Sequence, residues 1–287
     1  MTADEKLALL RTLLRRLGSV VVAFSGGVDS SFLLRVAAEE LGDRAAGVTV
    51  RSAVFPEREL RAAAALARSL GVRHVVVDVD PLALAEFVAN PPERCYHCKR
   101  AVFGAIRKAA EELGIEQVAD GANVDDAADW RPGTRAVAEL GVRSPLKEAG
   151  LTKAEIRELS RRLGLPTADV PSRACLASRF PYGTRITRED LARVERAEAA
   201  LEALGFGGLR VRHHGSIARI ELRPDDIARA AEPSVRAAIL AALKPLGYAY
   251  VALDLEGYRT GSLNEVLRGV TNDERSPMTN DRITNDE

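Results

Sequence analysis

The spacing of hydrophobic positions changes along the chain in an ordered way. Residues 4–17 carry leucines at helical spacing with arginines between them, the pattern of an amphipathic helix. Residues 19–24, Ser-Val-Val-Val-Ala-Phe, form a short continuous apolar run. Its β-branched side chains and the glycine turn that follows predict a buried strand. Residues 30–41 return to helical spacing, 46–50 predict a second strand, 57–70 a helix stopped by Gly71, and 72–79 a third strand. Strands and helices alternating at this rhythm predict a parallel sheet with crossover helices.

Asn90-Pro91-Pro92 interrupts that series. Residues 95–113 then read as a helix and 117–119 as a strand. Thr152-x-x-Glu155 is a capping box that opens a helix ending near Gly164. Residues 167–183 form a loop rich in Pro, Ser and Arg, and a domain boundary is expected near its end. Beyond it come a helix over 191–204 with Thr187 as its cap, strands over 209–214 and 217–222 joined as a hairpin through Gly215-Ser216, a helix over 233–243 and a strand over 248–253. The expected organisation is an α/β domain over 1–183 and a smaller α+β domain over 184–270. Residues 271–287 repeat Thr-Asn-Asp and carry little that packs, so this tail is expected to be disordered.

Composition narrows the function classes. Apolar residues make up 46% of the 287 positions, enough for a sizeable core. Lys+Arg and Asp+Glu both total 41, and this zero balance argues against a dedicated nucleic-acid binder. No apolar run reaches membrane-spanning length, and the N-terminal segment is charged and amphipathic, unlike a signal peptide. The expectation is a cytoplasmic protein with no membrane partner. In a reducing compartment, Cys95-x-x-Cys98 points to metal or redox chemistry before a structural disulfide.

The sharpest local signal is Ser25-Gly26-Gly27-Val28-Asp29-Ser30-Ser31, between the first strand and a helix. Its glycines let the backbone approach phosphate oxygens, and the helix N-terminus adds positive partial charge. Ser25, Ser30 and Ser31 offer hydroxyls, and Asp29 is a candidate ligand for Mg²⁺. No Gly-Lys-Ser/Thr ending follows, which excludes the kinase and GTPase type of loop. A tight turn with no ligand is the plain alternative. A second cluster, Asp120 to Asp126, follows the strand at 117–119, where open α/β sheets bind ligands. Asp120 and Asp126 are candidates for Mg²⁺ or nucleotide contacts, with an Asx-rich turn as the alternative.

Cys95, Cys98 and Cys175 are the only cysteines. A [4Fe–4S] cluster held by three thiolates ranks first among their readings, because its open iron can bind an extra sulfide and deliver it to an activated carbon. A persulfide or sacrificial thiol on Cys175, a zinc site completed by a fourth ligand, and buried thiols without chemistry remain open.

The loop Ser25–Ser30, residues 120–132, and Ala174-Cys175-Leu176-Ala177-Ser178-Arg179-Phe180-Pro181-Tyr182-Gly183 together resemble the LarE family. These are PP-loop ATP pyrophosphatases, the ATP-dependent sulfur transferases of nickel-pincer cofactor synthesis. Arg210-Val-Arg212 and Ile217-Ala-Arg-Ile-Glu221 extend the likeness from about residue 4 to about residue 268. The resemblance implies adenylation by MgATP of a carboxylate of pyridinium biscarboxylic acid mononucleotide, then replacement of AMP by sulfur. It implies a homo-oligomer, with sulfide or another sulfur donor as co-substrate. Some members give up the sulfur of their own cysteine, while others hold an iron–sulfur cluster on three, and Cys95, Cys98 and Cys175 match the second kind. Arg210 and Arg212 alternate along a strand, share one face and suit phosphate recognition. Ser178 and Arg179 sit beside Cys175 and are placed to orient substrate. Glu198, Glu221 and Arg259 match further positions near the family's substrate site, although lone charged residues are more often plain surface. A tRNA thiolase, an amide-forming synthetase of the same loop class, and a sulfur carrier without activity are the competing functions.

Overall fold

The computed structural model describes residues 1–128, 132–171, 174–259 and 261–267. The expected tail over 271–287 lies outside the described residues. The N-terminal elements run α1 (Ala3–Leu17), β1 (Val20–Ala23), α2 (Val28–Leu41), β2 (Ala45–Arg51), α3 (Glu57–Ser69), β3 (Arg73–Asp78), α4 (Ala85–Val88), α5 (Arg94–Glu112), β4 (Val118–Ala119), α6 (Gly133–Glu139), α7 (Pro145–Glu148) and α8 (Lys153–Arg162). Then follow α9 (Arg188–Ala203), β5 (Arg210–His214), β6 (Ile217–Glu221), α10 (Pro224–Ala231), α11 (Pro233–Leu243) and β7 (Tyr250–Leu253).

The first four strands make one parallel sheet in the order β3-β2-β1-β4. The apolar run of β1 follows from its place inside that sheet. Val20 and Val22 pack into one core with α1, α2, α3 and α8, while Val21 packs into the opposite core with α5 and α6. All three valines are fully buried, as a strand covered on both faces requires. The order also makes the gap between β1 and β4 a topological switch point. Chain leaves the carboxyl ends of these neighbouring strands toward opposite faces, and a crevice opens between them.

β5, β6 and β7 form a second sheet, β5 antiparallel and β7 parallel to β6. Its core takes Ala197 and Leu201 from α9 and Ile239 and Leu243 from α11. A further apolar cluster joins the two regions, combining Val54 and Phe87 with Leu176, Ala177, Phe180, Leu191 and Val194. The residues around Cys175 are therefore gripped by both parts of the chain.

The capping signals hold. Glu155 N donates to Thr152 Oγ1 at 3.3 Å, and Asp190 N donates to Thr187 Oγ1 at 3.1 Å. Two expectations need correction. The helix after the phosphate loop begins at Val28, not Ser30, so Asp29 lies in its first turn. The loop over 167–183 contains a short 3₁₀ turn, Leu176–Arg179, which sets Ser178 and Arg179 relative to Cys175. No helix among the described residues is long and apolar enough to cross a membrane.

Candidate active site

The phosphate loop is built as a nest. Gly26 has φ +71°, and a Cβ added there would stand 3.0 Å from the Ala63 Cβ, so this turn requires glycine. Gly27 caps α2 without any side-chain cap bond, leaving amide donors of the first turn for a ligand. Ser30 Oγ ties the turn together, accepting from Ser25 N at 3.2 Å and donating to Gly27 O at 3.2 Å. Ser25 Oγ lies 3.1 Å from Ser30 Oγ. Ser31 is fully buried, and its hydroxyl has no hydrogen-bond partner.

The cluster after β4 meets this loop. A Cβ on Gly121 would lie 3.0 Å from Ser30 N and 3.2 Å from the Asp29 Cβ, so the two loops touch because Gly121 has no side chain. Asn123 Nδ2 donates to Asp29 Oδ1 at 3.3 Å. Asp29 Oδ2 is ion-paired with Lys153, the first residue of α8. Lys153 did not feature among the sequence candidates. Asp120 Oδ1 accepts from Ala122 N at 3.1 Å and from Ser144 Oγ at 2.7 Å, and Asp126 Oδ2 accepts from Asn123 N at 3.0 Å. Both carboxylates thus shape the turn that presses on the phosphate loop.

The thiols form a second group. Cys95 and Cys98 stand in the first turn of α5, and Cys175 precedes the 3₁₀ turn, all three half-buried and free of disulfides. Burial, then the nearby Cys175 sulfur, pushes the Cys95 thiol up, and the same causes with Cys95 added push Cys98 up to about 12. The sulfurs are therefore close enough to oppose one another's ionisation. No three His, Cys, Asp or Glu among the described residues converge on a single metal ion. A cluster binds its thiolates at separate irons and so holds them wider apart than one ion does.

A buried ionic lattice holds Cys175 in place. Arg179 grips Glu198 with two bonds, Nε to Oε1 at 2.8 Å and Nη2 to Oε2 at 2.9 Å. Its Nη1 donates to Ala174 O at 2.7 Å and to Cys175 O at 3.0 Å. Glu198 Oε1 also accepts from Val211 N at 3.0 Å. Arg212 pairs with Glu221 through bonds of 2.8 and 2.6 Å, and its Nη1 donates to Ser178 O at 2.8 Å. Ser178 Oγ donates to Cys175 O at 2.9 Å. Arg210, on the same strand face, stacks over Tyr258 at 4.7 Å. Burial, then the Arg179 charge, lowers the Arg210 guanidinium from its ordinary value.

Glu198 and Glu221 are therefore not plain surface: they are 2% and 1% exposed. Arg259 differs. It pairs with Glu256 and Glu265 on the exterior and joins the lattice only through its neighbourhood, where Ser262 Oγ accepts from Arg212 Nη2 at 3.1 Å. A separate cavity lined by Leu82, Ala83, Ala85, Val88, Ala89, Gly183 and Arg185 includes none of the sequence candidates.

The asparagine synthase family profile matches residues 9–122, the segment that carries the phosphate loop and its neighbouring turn. The chain is 38% identical to the pyridinium-3,5-bisthiocarboxylic acid mononucleotide synthase of Lactiplantibacillus plantarum, over 93% of this chain and 96% of that one. It is 42% identical to an uncharacterized protein of Synechocystis over 92% and 98% of the two chains. A tRNA-specific 2-thiouridylase of Xanthobacter autotrophicus is 32% identical over 53% of this chain and 49% of its own. A phosphate loop at the switch point and likeness over almost the full length of a pyridinium-3,5-bisthiocarboxylic acid mononucleotide synthase agree: the chain belongs to the LarE family of PP-loop, ATP-using enzymes.

Proposed function

We propose that this enzyme converts a carboxylate of pyridinium biscarboxylic acid mononucleotide to a thiocarboxylate in two steps. A carboxylate oxygen attacks the α-phosphorus of ATP, the α–β anhydride bond breaks, and pyrophosphate leaves, giving an acyl adenylate. Hydrosulfide then attacks the acyl carbon and the bond to AMP breaks, giving thiocarboxylate, AMP and a proton. Ser25, Gly26, Gly27, Ser30 and Ser31 hold the departing pyrophosphate through amides and hydroxyls fixed before substrate arrives. Asp29 is the residue to hold Mg²⁺, and the ion would offset phosphate charge, while Asp120 and Asp126 shape the adjoining turn.

The observation that carries this reading is that Cys175 lies on a backbone segment held by buried arginines. Arg179 holds the Cys175 carbonyl and Arg212 holds the Ser178 carbonyl, which supports a reading in which sulfur and an anionic substrate meet near this 3₁₀ turn. Arg210 suits the substrate's phosphate or a carboxylate, while Arg179 and Arg212, paired with Glu198 and Glu221, hold the backbone around Cys175 in place, and Arg259 rims the same region. Cys95, Cys98 and Cys175 fit a [4Fe–4S] cluster as three neighbouring free thiols, and such a cluster supplies, when bound, one iron without a protein ligand. The boundary near residue 183 and a homo-oligomeric state belong to the same proposal.

The test supplies MgATP, sulfide and the mononucleotide to the reduced, iron-loaded enzyme. Pyrophosphate is expected in step with thiocarboxylate, and Cys175→Ser is expected to keep pyrophosphate release while losing sulfur transfer. The half-length match to a tRNA thiouridylase makes tRNA the control acceptor. Pyrophosphate release driven by tRNA and not by the mononucleotide would overturn the proposal.

A further inference from the structure

Arg94 opens α5 and is 2% exposed. A guanidinium stays charged at every accessible pH, and a buried charge needs a counter-charge. The other two buried arginines among the described residues have one, Arg179 in Glu198 and Arg212 in Glu221. Among the described residues, no carboxylate lies within 4.0 Å of the Arg94 guanidinium. Its acceptors are neutral: Nη1 donates to Asn90 Oδ1 and, at 3.1 Å, to Ala177 O. The Nε donor is buried and unused. The Tyr182 ring lies 5.8 Å from its carbon, a weak substitute for an anion.

What does surround Arg94 is sulfur. Cys95 follows it in sequence and Cys98 stands one helical turn on. Ala177, whose carbonyl it holds, lies two residues past Cys175. Lys99 is the other cation acting on the Cys95 and Cys98 thiols, and its ammonium rests over Phe103 at 5.4 Å, partly solvated. A small anion arriving beside Arg94 would balance its charge.

We propose that Arg94 is the anion-holding residue of the three-thiol site, its missing counter-charge supplied by an incoming anionic sulfur species such as hydrosulfide. The N-terminal end of α5 adds to the same field. The inference rests on the sulfur-transfer reading for the identity of the anion, but the unbalanced charge stands by itself. Arg94 acts here as a positioning residue that draws and keeps an anionic sulfur species beside Cys175.

The experiment uses the reduced full-length protein without iron. The thiols are alkylated separately with anionic iodoacetate and neutral iodoacetamide, and the rate ratio is read for each cysteine by peptide mass spectrometry. The thiolate fraction cancels in that ratio, which leaves the local potential felt by an incoming anion. Arg94→Gln is expected to lower the ratio at Cys95 and Cys98 by about fivefold or more, and Arg94→Lys to retain most of it. An equal ratio in wild type and Arg94→Gln overturns the proposal. So does an equal fall in Arg94→Lys, which would mean that shape and not charge is what Arg94 provides. Should Arg94→Gln not fold, the wild-type ratio is compared with that of 2-mercaptoethanol: a higher protein ratio supports the proposal, and an equal or lower one overturns it. Iron counted after anaerobic reconstitution of the wild type separates the two readings. Absence of iron removes the cluster and leaves the alkylation result standing, whereas iron uptake with an unchanged ratio removes only the role of Arg94.

Discussion

Glu198→Gln is expected to destabilise the protein by about 3–5 kcal/mol, the cost of removing one partner from a buried ion pair. Arg179 and Glu198 side chains are only 4% and 3% exposed, so water cannot replace the lost partner. Burial works against the Arg179 charge, yet the two bonds from Glu198 hold the guanidinium above its ordinary value. Glutamine keeps one carbonyl oxygen for Arg179 Nε and Val211 N. Its amide group then faces Arg179 Nη2, donor against donor, and the arginine charge is left unbalanced. A lost neutral hydrogen bond would cost only about 0.5–1.5 kcal/mol, so the measurement distinguishes the two descriptions. The expected loss is a large share of a typical stability of about 5–15 kcal/mol.

Urea unfolding followed by circular dichroism at fixed salt reads the effect. Arg179→Met also costs stability, because Glu198 is left buried without its cation and Ala174 O and Cys175 O each lose the Arg179 bond. The double variant is expected to cost less than the sum of the singles by about 2 kcal/mol or more. A Glu198→Gln loss below about 1 kcal/mol, or strict additivity in the double variant, would refute the view that this pair anchors the Cys175 segment.

Three further outcomes follow from the geometry. Asp29→Asn turns an amide toward Lys153 and Asn123, and is expected to abolish pyrophosphate release while iron content stays unchanged; normal turnover would sink the assignment of the loop. Gly26→Ala forces a side chain into φ +71° against Ala63, which adds about 1–2 kcal/mol of backbone strain and should weaken ATP binding, read by equilibrium titration, with the fold kept. The Lys6 ammonium, bonded to Glu155 at 2.7 and 2.8 Å, holds that carboxyl down to about 2 from 4.5. Its stabilisation is fully present above pH 4.5 and is lost as pH falls toward 2, so Lys6→Met should flatten the acid limb of a melting-temperature profile, and an unchanged limb would discount the pair.

Much of the architecture was legible because local physics dictated it. Val20, Val21 and Val22 announce a strand covered on both sides, and Gly26 and Gly27 announce a backbone brought close to a ligand. Thr152 with Glu155 marks the start of α8, and no tertiary contact was needed to read it. The helix α10 escaped notice because it is only eight residues long, opens on Pro224 and buries only Ala230, too short a span for its apolar side to repeat over successive turns. Lys153 escaped for a different reason. Its partner Asp29 is far away in sequence, and only the packing of α8 against α2 brings them together.

The buried charges hold the more general lesson, since Glu198 and Glu221, matched to the family's substrate site with plain surface as the alternative, lie in the core as partners of Arg179 and Arg212. A signal was nonetheless present for Glu198, which falls among Val194, Ala197 and Leu201, all on the buried side of α9. Glu221, at the end of β6, alternates with Ile220 and Leu222, shares the face of Arg219 and carried no such signal. A carboxylate at a position that helical or strand periodicity assigns to the interior cannot remain charged without a cation, so it predicts a buried arginine even when the partner cannot be named. The same logic runs in reverse at Arg94. It is buried like Arg179 and Arg212, and every described carboxylate is out of its reach. Where Glu198 and Glu221 complete two of the three arginines with protein groups, the third is left for chemistry that arrives from outside, at the one place in the chain where three thiols are gathered.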